Sequence, residues 1–430
     1  MHDLSTKKLL FEVLEGIQPG KDEIYSEKRF TNELVLKLQK CAGSKVFVVL
    51  AGSMAKGTFL KQDNDVDIFL LFPVTVKKEN FVERVKKIVN GAFPRAKYEI
   101  KYAEHPYLRV RLDGRRIDVV PAYKIDKAEN LKSAVDRSVF HTKFIKGNLK
   151  KEQVAEVLLL KKFLKCNELY GAEIKIGGFS GYLCELLIVN FGTFLNFVRT
   201  TAKWKTDDSM FVDLKEYYKD DELIEKIMKK FNTRFVVIDP TDRNRNVAAA
   251  VSEENITKMI RIFKVFIKKP TRKYFSPPKS FKEKLKAIEK KHGSCYLIKL
   301  AREELADDIV WGQIRKITSA LVTYLKKNEF KVKEIIMESE GKDAFICLRI
   351  GSERLANKKE IVGPEVKMKE HIIAFRKAHE TAIFKRKGKR ITAIVPRENI
   401  YAEKTIEKFF AKVSMPSHIS FKNLRLQVHD

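Results

Sequence analysis

The period of the apolar positions changes several times along the chain, and each change predicts a different element. Over residues 1 to about 40, Leu9, Leu10, Val13 and Leu14 sit at helical spacing within a stretch that predicts two helices. The run Val46-Phe-Val-Val-Leu50 then reads as a strand, followed by a Gly52-Ser53 turn and a short helix. Val66 to Phe72 is a second apolar strand, closed by Pro73. Residues 77–93 read as helix, and strands are expected near Tyr98–Tyr102 and Leu108–Leu112. Asp113-Gly114 is a hairpin signal that leads into Ile117-Asp-Val-Val-Pro121. The alternation predicts an α/β (α+β) domain with a mixed sheet, ending near residue 145.

From 151 to about 200 the pattern turns helical, broken by Tyr170-Gly-Ala and Ile176-Gly-Gly-Phe-Ser180. Tyr182 through Phe197 is apolar almost all round, which predicts one buried core helix. Residues 252–268 form an amphipathic pattern stopped by Pro270, and Lys269-Pro-Thr-Arg with Ser276-Pro-Pro-Lys reads as a linker. A second α/β region follows: helix 281–292, strand Cys295–Leu300, helix 310–328 and strand Ala344–Ile350. Lys385-Arg-Lys-Gly-Lys-Arg390 is a basic turn between strand-like residues.

At 430 residues the chain is long enough for more than one core, and 44% hydrophobic residues exclude a disordered polymer. Lys+Arg number 86 against 56 Asp+Glu, a net charge of +30, which points to a polyanionic partner such as nucleic acid. A lysine-rich proteome is the bland alternative. The five cysteines (41, 166, 184, 295, 347) show no CxxC spacing, so neither a disulfide framework nor a zinc site is expected, and Cys166 and Cys184 read as core. Glu12 and Glu15 interrupt the N-terminal apolar stretch, and no uncharged run approaches the roughly 18 residues of a membrane span. The expectation is a cytoplasmic protein with no membrane partner.

Chemistry concentrates between residues 51 and 73. Alternate strand residues share a face, so Asp65 and Asp67 project together, about 6.6 Å apart along the chain. Two ionised carboxylates repel by about 4 kcal/mol at 4 Å and an effective dielectric of 20, and divalent cations reverse that sign. Asp118, a single acid in the apolar strand 115–121, supplies a third carboxylate. Three carboxylates can hold two Mg²⁺ ions, one activating a hydroxyl and one clamping a triphosphate. Gly52-Ser53, between strand and helix, suits phosphate, through close backbone approach, the Ser53 hydroxyl and helix amides. Other candidates lean structural when taken singly. Lys56 either reaches the same phosphates or is solvated. Lys161, in a mostly apolar helix, either snorkels or lies beneath a nucleotide. Tyr170 either stacks on a base or fills core, and His141 has no partner histidine for zinc.

Several stretches together resemble one family: GSMAKGTFLKQDNDVDIFLLFP, IKYAEHPYLRVRLDGRRIDVVPAYKI, NLKSAVDRSVFHTKFI, YGAEIKIGGFSGYLCELLIVNFGTFL and VVIDPTDRNRNVAAAVS. The chain resembles the archaeal (class I) CCA-adding enzymes, tRNA nucleotidyltransferases that build and repair the tRNA 3′ end. The likeness runs nearly continuously over about 45–255, extends to DDIVWGQIRK at 307–316, and is weak from about residue 366. It implies a polymerase-β-like nucleotidyltransferase head (1–148), a helical nucleotide-selecting neck (149–270), an α+β tRNA-binding body (271–365) and a small basic tail (366–430). It implies Asp65, Asp67 and Asp118 as catalytic metal ligands for two Mg²⁺ ions. Ser53 and Lys56 would contact the triphosphate, with His141, Lys161 and Tyr170 completing the nucleotide pocket. Arg245 would help choose C and A without a nucleic-acid template. The family usually carries arginine where this chain has Lys56, which keeps the charge but not the bidentate fork. The implied substrates are CTP and ATP, and the implied partner is tRNA, held by its acceptor arm and TψC region; a homodimer is left open. A poly(A)-polymerase-like enzyme is the alternative sharing the same head.

Overall fold

The computed structural model describes residues 2–63, 65–102, 106–205 and 208–427. Asn64 and residues 103–105, within the stretches quoted above, lie outside the described residues. The chain divides into two compact units, Met1–Pro278 and Lys279–Asp430.

The first unit opens with helices α1 (His2–Ile17) and α2 (Lys21–Ala42), then strand β1 (Phe47–Ala51), the short helix α3 (Gly52–Lys56) and strand β2 (Asp65–Phe72). Helix α4 (Phe81–Ala92) and strands β3 (Lys97–Tyr102), β4 (Pro106–Leu112) and β5 (Arg115–Tyr123) complete a five-stranded sheet of order β1-β2-β5-β4-β3. β2 and β5 run parallel and the other pairs antiparallel, so the sheet is mixed as the pattern predicted. Asp113 and Gly114 turn the β4–β5 hairpin with φ of 48° and 74°, the left-handed pair that a two-residue hairpin requires. Val66, Ile68, Leu70 and Phe72 are buried on one face, where α2 and α4 cover the sheet.

The chain continues through α5 (Arg137–Asn148), α6 (Gln153–Cys166), α7 (Gly181–Phe191) and α8 (Phe194–Ala202). Next come β6 (Met210–Val212), α9 (Asp221–Phe231), β7 (Phe235–Asp239), β8 (Asp242–Asn246) and α10 (Glu253–Lys268), with β6-β7-β8 forming a small sheet. Their core centres on Phe163, with the rings of Phe194, Phe263, Phe266 and Phe275 at 5.1–5.5 Å.

Three expectations change here. The apolar run 182–197 is two helices bent by 87°, because Gly192 (φ 78°) ends α7 and the Thr193 hydroxyl caps α8 by accepting from the Asn196 amide. Of the expected linker, Arg272–Phe275 is a 3₁₀ turn that seats Phe275 in the aromatic core; only the Ser276-Pro-Pro stretch lies at the unit boundary. Helix α1, placed with the head, instead packs Leu10, Val13 and Ile17 into the helical core beside α6. No single helix among the described residues is long and apolar enough to cross a membrane.

The second unit holds α11 (Phe281–Glu289), β9 (Ser294–Arg302), α12 (Asp307–Lys327), β10 (Val332–Glu340), β11 (Asp343–Ile350), β12 (Lys358–Glu365), α13 (Lys369–Ala378), β13 (Ile383–Lys387), β14 (Arg390–Pro396), α14 (Ala402–Lys412) and β15 (Ile419–Gln427). An antiparallel sheet β10-β11-β9-β15 is packed by α12 and α14 through residues such as Trp311, Leu321, Ile406 and Phe410. A separate sheet β12-β14-β13 carries the exposed Lys385–Arg390 hairpin. The segment 366–430 therefore does not stay together as one tail. Its last strand returns to pair with β9, since Ile419, Phe421 and Leu424 complete that core.

Candidate active site

The parallel register of β2 and β5 sets Asp67 opposite Asp118 and Asp65 opposite Arg116. Alternation sends Val66 and Ile68 into the core and turns Asp65 and Asp67 to the other face. That face borders a cavity of about 290 Å³ lined by Ser53, Lys56, Asp65, Asp67, Asp118, Lys161 and Tyr170, together with Tyr182 and Glu185.

Arg109 grips Asp118 with two bonds, Nε to Oδ1 at 2.7 Å and Nη2 to Oδ2 at 2.8 Å, and Arg116 donates to Asp65. The described residues give Asp67 neither a hydrogen bond nor an ion pair. Burial, and then the neighbouring Asp118 charge, push the Asp67 carboxyl up to about 6. Burial raises Asp65 as well, against the pull of Arg116. As the side chains stand, no three His, Cys, Asp or Glu groups among the described residues converge on one ion. The donor chemistry nonetheless suits a hard divalent cation: oxygen ligands only, one of them a crowded carboxylate that forms no ion pair among the described residues.

Gly52 makes this crowding feasible. Its φ is +64°, and a Cβ at this position would overlap Asp67 Oδ2. Gly52→Ala should therefore cost at least about 1 kcal/mol of stability and displace Asp67, lowering turnover roughly 10²-fold. Thermal unfolding together with a nucleotide-incorporation assay checks this; a fully active, equally stable variant would remove the steric argument.

Lys56 and Lys161 meet on one buried acid. Glu185, on α7 and without exposed side-chain surface, accepts from Lys56 Nζ at 2.5 Å, from Thr58 Oγ1 at 2.5 Å and from Lys161 Nζ at 3.3 Å. Lys161 also donates to the Thr58 carbonyl at 2.9 Å. Burial alone would raise Glu185, but the charges of Lys161 and Lys56 and the bonds from Lys56 and Thr58 outweigh it and hold the carboxyl below its usual range. Two ammoniums share one carboxylate, so the cluster presents a surplus positive charge to the cavity.

His141 and Arg245 gather around a second buried acid, Asp239, at the end of β7. His141 Nε2 lies 2.8 Å and Arg245 Nη1 2.7 Å from Oδ2, while Tyr182 Oη donates to Oδ1 at 3.2 Å. Burial pushes the His141 imidazole down against the pull of Asp239, and because an ionised carboxylate only accepts, Nε2 carries the proton and donates it. Burial opposes ionisation of Asp239 too, but His141 and the amide and hydroxyl of Thr241 hold it below the carboxylate range. Tyr182 links the two clusters: its ring stacks on His141 at 3.9 Å and lies 6.0 Å from Lys56 Nζ. Neither His141 nor Arg245 lines the cavity of the three aspartates.

Glu185, Asp239, Tyr182, Arg109 and Arg116 escaped the sequence pattern. Asp239 did carry a signal, because Phe235-Val-Val-Ile-Asp239 is an acid closing an apolar strand, as Asp118 is an acid within one. Glu185 carried a weaker one, an acid in a helix otherwise apolar, which must find a cation when buried.

Comparison with known proteins covers most of the chain. Residues 32–141 match the nucleotidyltransferase domain model, 155–276 the second domain of tRNA nucleotidyltransferase, and 291–425 the C-terminal domain of the CCA-adding enzyme. The last match corrects the weak likeness expected from residue 366 onward. The CCA-adding enzyme of Methanocaldococcus jannaschii is 38% identical over 338 residues, 76% of this chain and 74% of the relative. That of Methanothermobacter thermautotrophicus is 32% identical over 419 residues, 95% and 90% of the two chains. A solved structure of a Cid1 poly(U) polymerase mutant bound to MgATP superposes with a TM-score of 0.50 at 15% identity, covering 64% of this chain and all of that one. It shares the fold.

Proposed function

The chain belongs to the CCA-adding enzyme family, and from that premise we propose how its residues add the 3′-terminal CCA of tRNA, without a nucleic-acid template, from CTP and ATP. The observation that carries the assignment of roles is the register pairing of Asp67 with Asp118, beside Asp65 and the Gly52-Ser53 turn. In the reaction the terminal tRNA hydroxyl attacks the α-phosphorus and pyrophosphate leaves. Asp65, Asp67 and Asp118 would hold two Mg²⁺ ions, which supply charge neutralisation and a more acidic attacking hydroxyl.

The protein's own residues position the reactants. Gly52 and Ser53 let backbone and hydroxyl approach the triphosphate, and Lys56 and Lys161, set by Glu185, bring positive charge to it. Tyr170 closes the cavity wall beside them. Asp239 holds the His141 imidazole and the Arg245 guanidinium in fixed orientation. A guanidinium has five N–H donors, so Arg245 can spend one on Asp239 and offer others to acceptors on cytosine or adenine. A protein group in this role takes the place of a template base. The first unit would act as head and neck, and the second would grip the acceptor arm and TψC region through backbone contacts, the Lys385–Arg390 hairpin among them. Acting on tRNA, the enzyme would work in the cytoplasm.

The direct test supplies purified protein with tRNA lacking CCA and each labelled nucleotide in turn. C, C and A should be added in order. Incorporation of A without C would favour a poly(A)-polymerase-like activity, and failure to add either would sink the proposal.

A further inference from the structure

A second cavity of about 410 Å³ adjoins the nucleotide cavity and shares two of its lining residues, Asp63 and Lys165. It is far larger than the roughly 10–15 Å³ that one water needs. Lys61, Lys162 and Lys165 line it, and Asp63 is the single acid among its lining residues. Three ammoniums against one carboxylate leave the cavity cationic. We propose that it receives pyrophosphate as the leaving group departs, a role that rests on the nucleotidyl-transfer reading above.

The route follows from α6. Lys161 and Lys165 are four residues apart and so share a helix face, one turn from each other. Lys161 is committed to Thr58 and Glu185 inside the nucleotide cavity. Lys165 is looser: its Nζ lies 3.8 Å from Asp63, its side chain is 40% exposed, and it stands 5.3 Å from the centre of the Tyr170 ring. An oligophosphate freed beside Lys161 and Tyr170 therefore meets Lys165 next, with Lys61 and Lys162 beyond it. The far wall is held in place, since the Lys61 amide donates to the Ile17 carbonyl at 2.8 Å and the Gln62 amide to Glu23 at 2.7 Å. When the new O–P bond forms at the α-phosphorus, the bond from that phosphorus to the bridging oxygen breaks. The electron pair leaves with pyrophosphate, whose negative charge the lysines then offset, and the proton of the attacking hydroxyl passes to solvent.

The test uses the full chain carrying Lys61→Gln and Lys162→Gln, neither of which lines the nucleotide cavity. Pyrophosphate inhibition of CTP incorporation should weaken about tenfold, and pyrophosphate-driven removal of the terminal nucleotide should need correspondingly more pyrophosphate. The KM for CTP and the affinity for tRNA should stay within about twofold of the parent. As a second arm, Lys61→Glu alone, at an exposed position, should weaken pyrophosphate inhibition further than Lys61→Gln alone. Unchanged pyrophosphate inhibition with incorporation intact would overturn the outlet while leaving the transferase reading standing. Weakened tRNA binding with unchanged pyrophosphate inhibition would overturn it in favour of an RNA backbone path.

Discussion

Asp67→Asn is expected to abolish CCA incorporation and, in metal-free protein, to raise the thermal midpoint. Loss of one catalytic carboxylate should lower turnover at least about 10³-fold, the equivalent of roughly 4 kcal/mol of transition-state stabilisation. Stability should move the opposite way. The Asp67 carboxyl lies at about 6 in the fold against 3.8 for an ordinary aspartate, so the folded state binds the proton more tightly than the unfolded state does. Stability therefore falls as pH rises through this window, and the full penalty, on the order of 2–3 kcal/mol, is present above it. Asparagine removes that penalty, which should raise the midpoint by several degrees near neutral pH. The two proteins should converge as pH falls below the ordinary value of 3.8, where Asp67 becomes protonated in the unfolded state as well as in the fold. Thermal unfolding across pH 3.5–8, with chelator, reads the difference, and tRNA binding serves as a control for folding. An Asp67→Asn protein that is less stable at every pH would refute the picture of a crowded carboxylate. Retained incorporation would refute its catalytic role.

Glu185→Gln should do the reverse to stability. Its carboxylate is the shared partner of Lys56 and Lys161, and removing its charge leaves two buried ammoniums without compensation. Breaking such a pair costs about 3–5 kcal/mol. Glu185 is held below its ordinary range, so its contribution is present above the unfolded value of 4.5 and is lost as pH falls through the folded one. The gap between parent and variant should thus be widest near neutral pH and narrow in acid. Nucleotide binding should suffer as well, since both lysines lose their anchor; a KM for CTP raised roughly tenfold is expected. Adding Lys56→Met to Glu185→Gln should recover about 1–3 kcal/mol, because the second substitution removes one of the stranded charges. Denaturant unfolding of the four proteins in this cycle gives the coupling directly. Additive effects would mean that the two side chains act independently.

These two acids mark where sequence pattern sufficed and where it did not. Asp65 and Asp67 could be placed because strand alternation is local: once Val66 and Ile68 are assigned to the core, the aspartates must face away from it. Asp118 could be added because the strand around it repeats the pattern, an acid among apolar residues. The hairpin at Asp113-Gly114 and the helix expected over 252–268 were equally legible, one from its turn residues and the other from period 3.6 ended by Pro270. Glu185 was absorbed into a run that reads as uniformly apolar. Its two lysines lie 129 and 24 residues away, and no local period connects them. The break at Gly192-Thr193 was missed for a related reason, since hydrophobicity continues across it while the backbone does not.

The sequence by itself determined the mixed α/β character of the first sheet, the shared face of Asp65 and Asp67, and the kinship carried by the motifs from Gly52 to Ser252. Side-chain period and turn chemistry act over a few residues, and the chain cannot form its strands and helices without displaying them. Only the tertiary structure decided that Lys56 and Lys161 share Glu185, that His141 and Arg245 share Asp239, and that, among the described residues, Asp67 alone of the three aspartates forms no ion pair with an arginine. A buried charge must be paired, but which partner it takes depends on how distant elements pack.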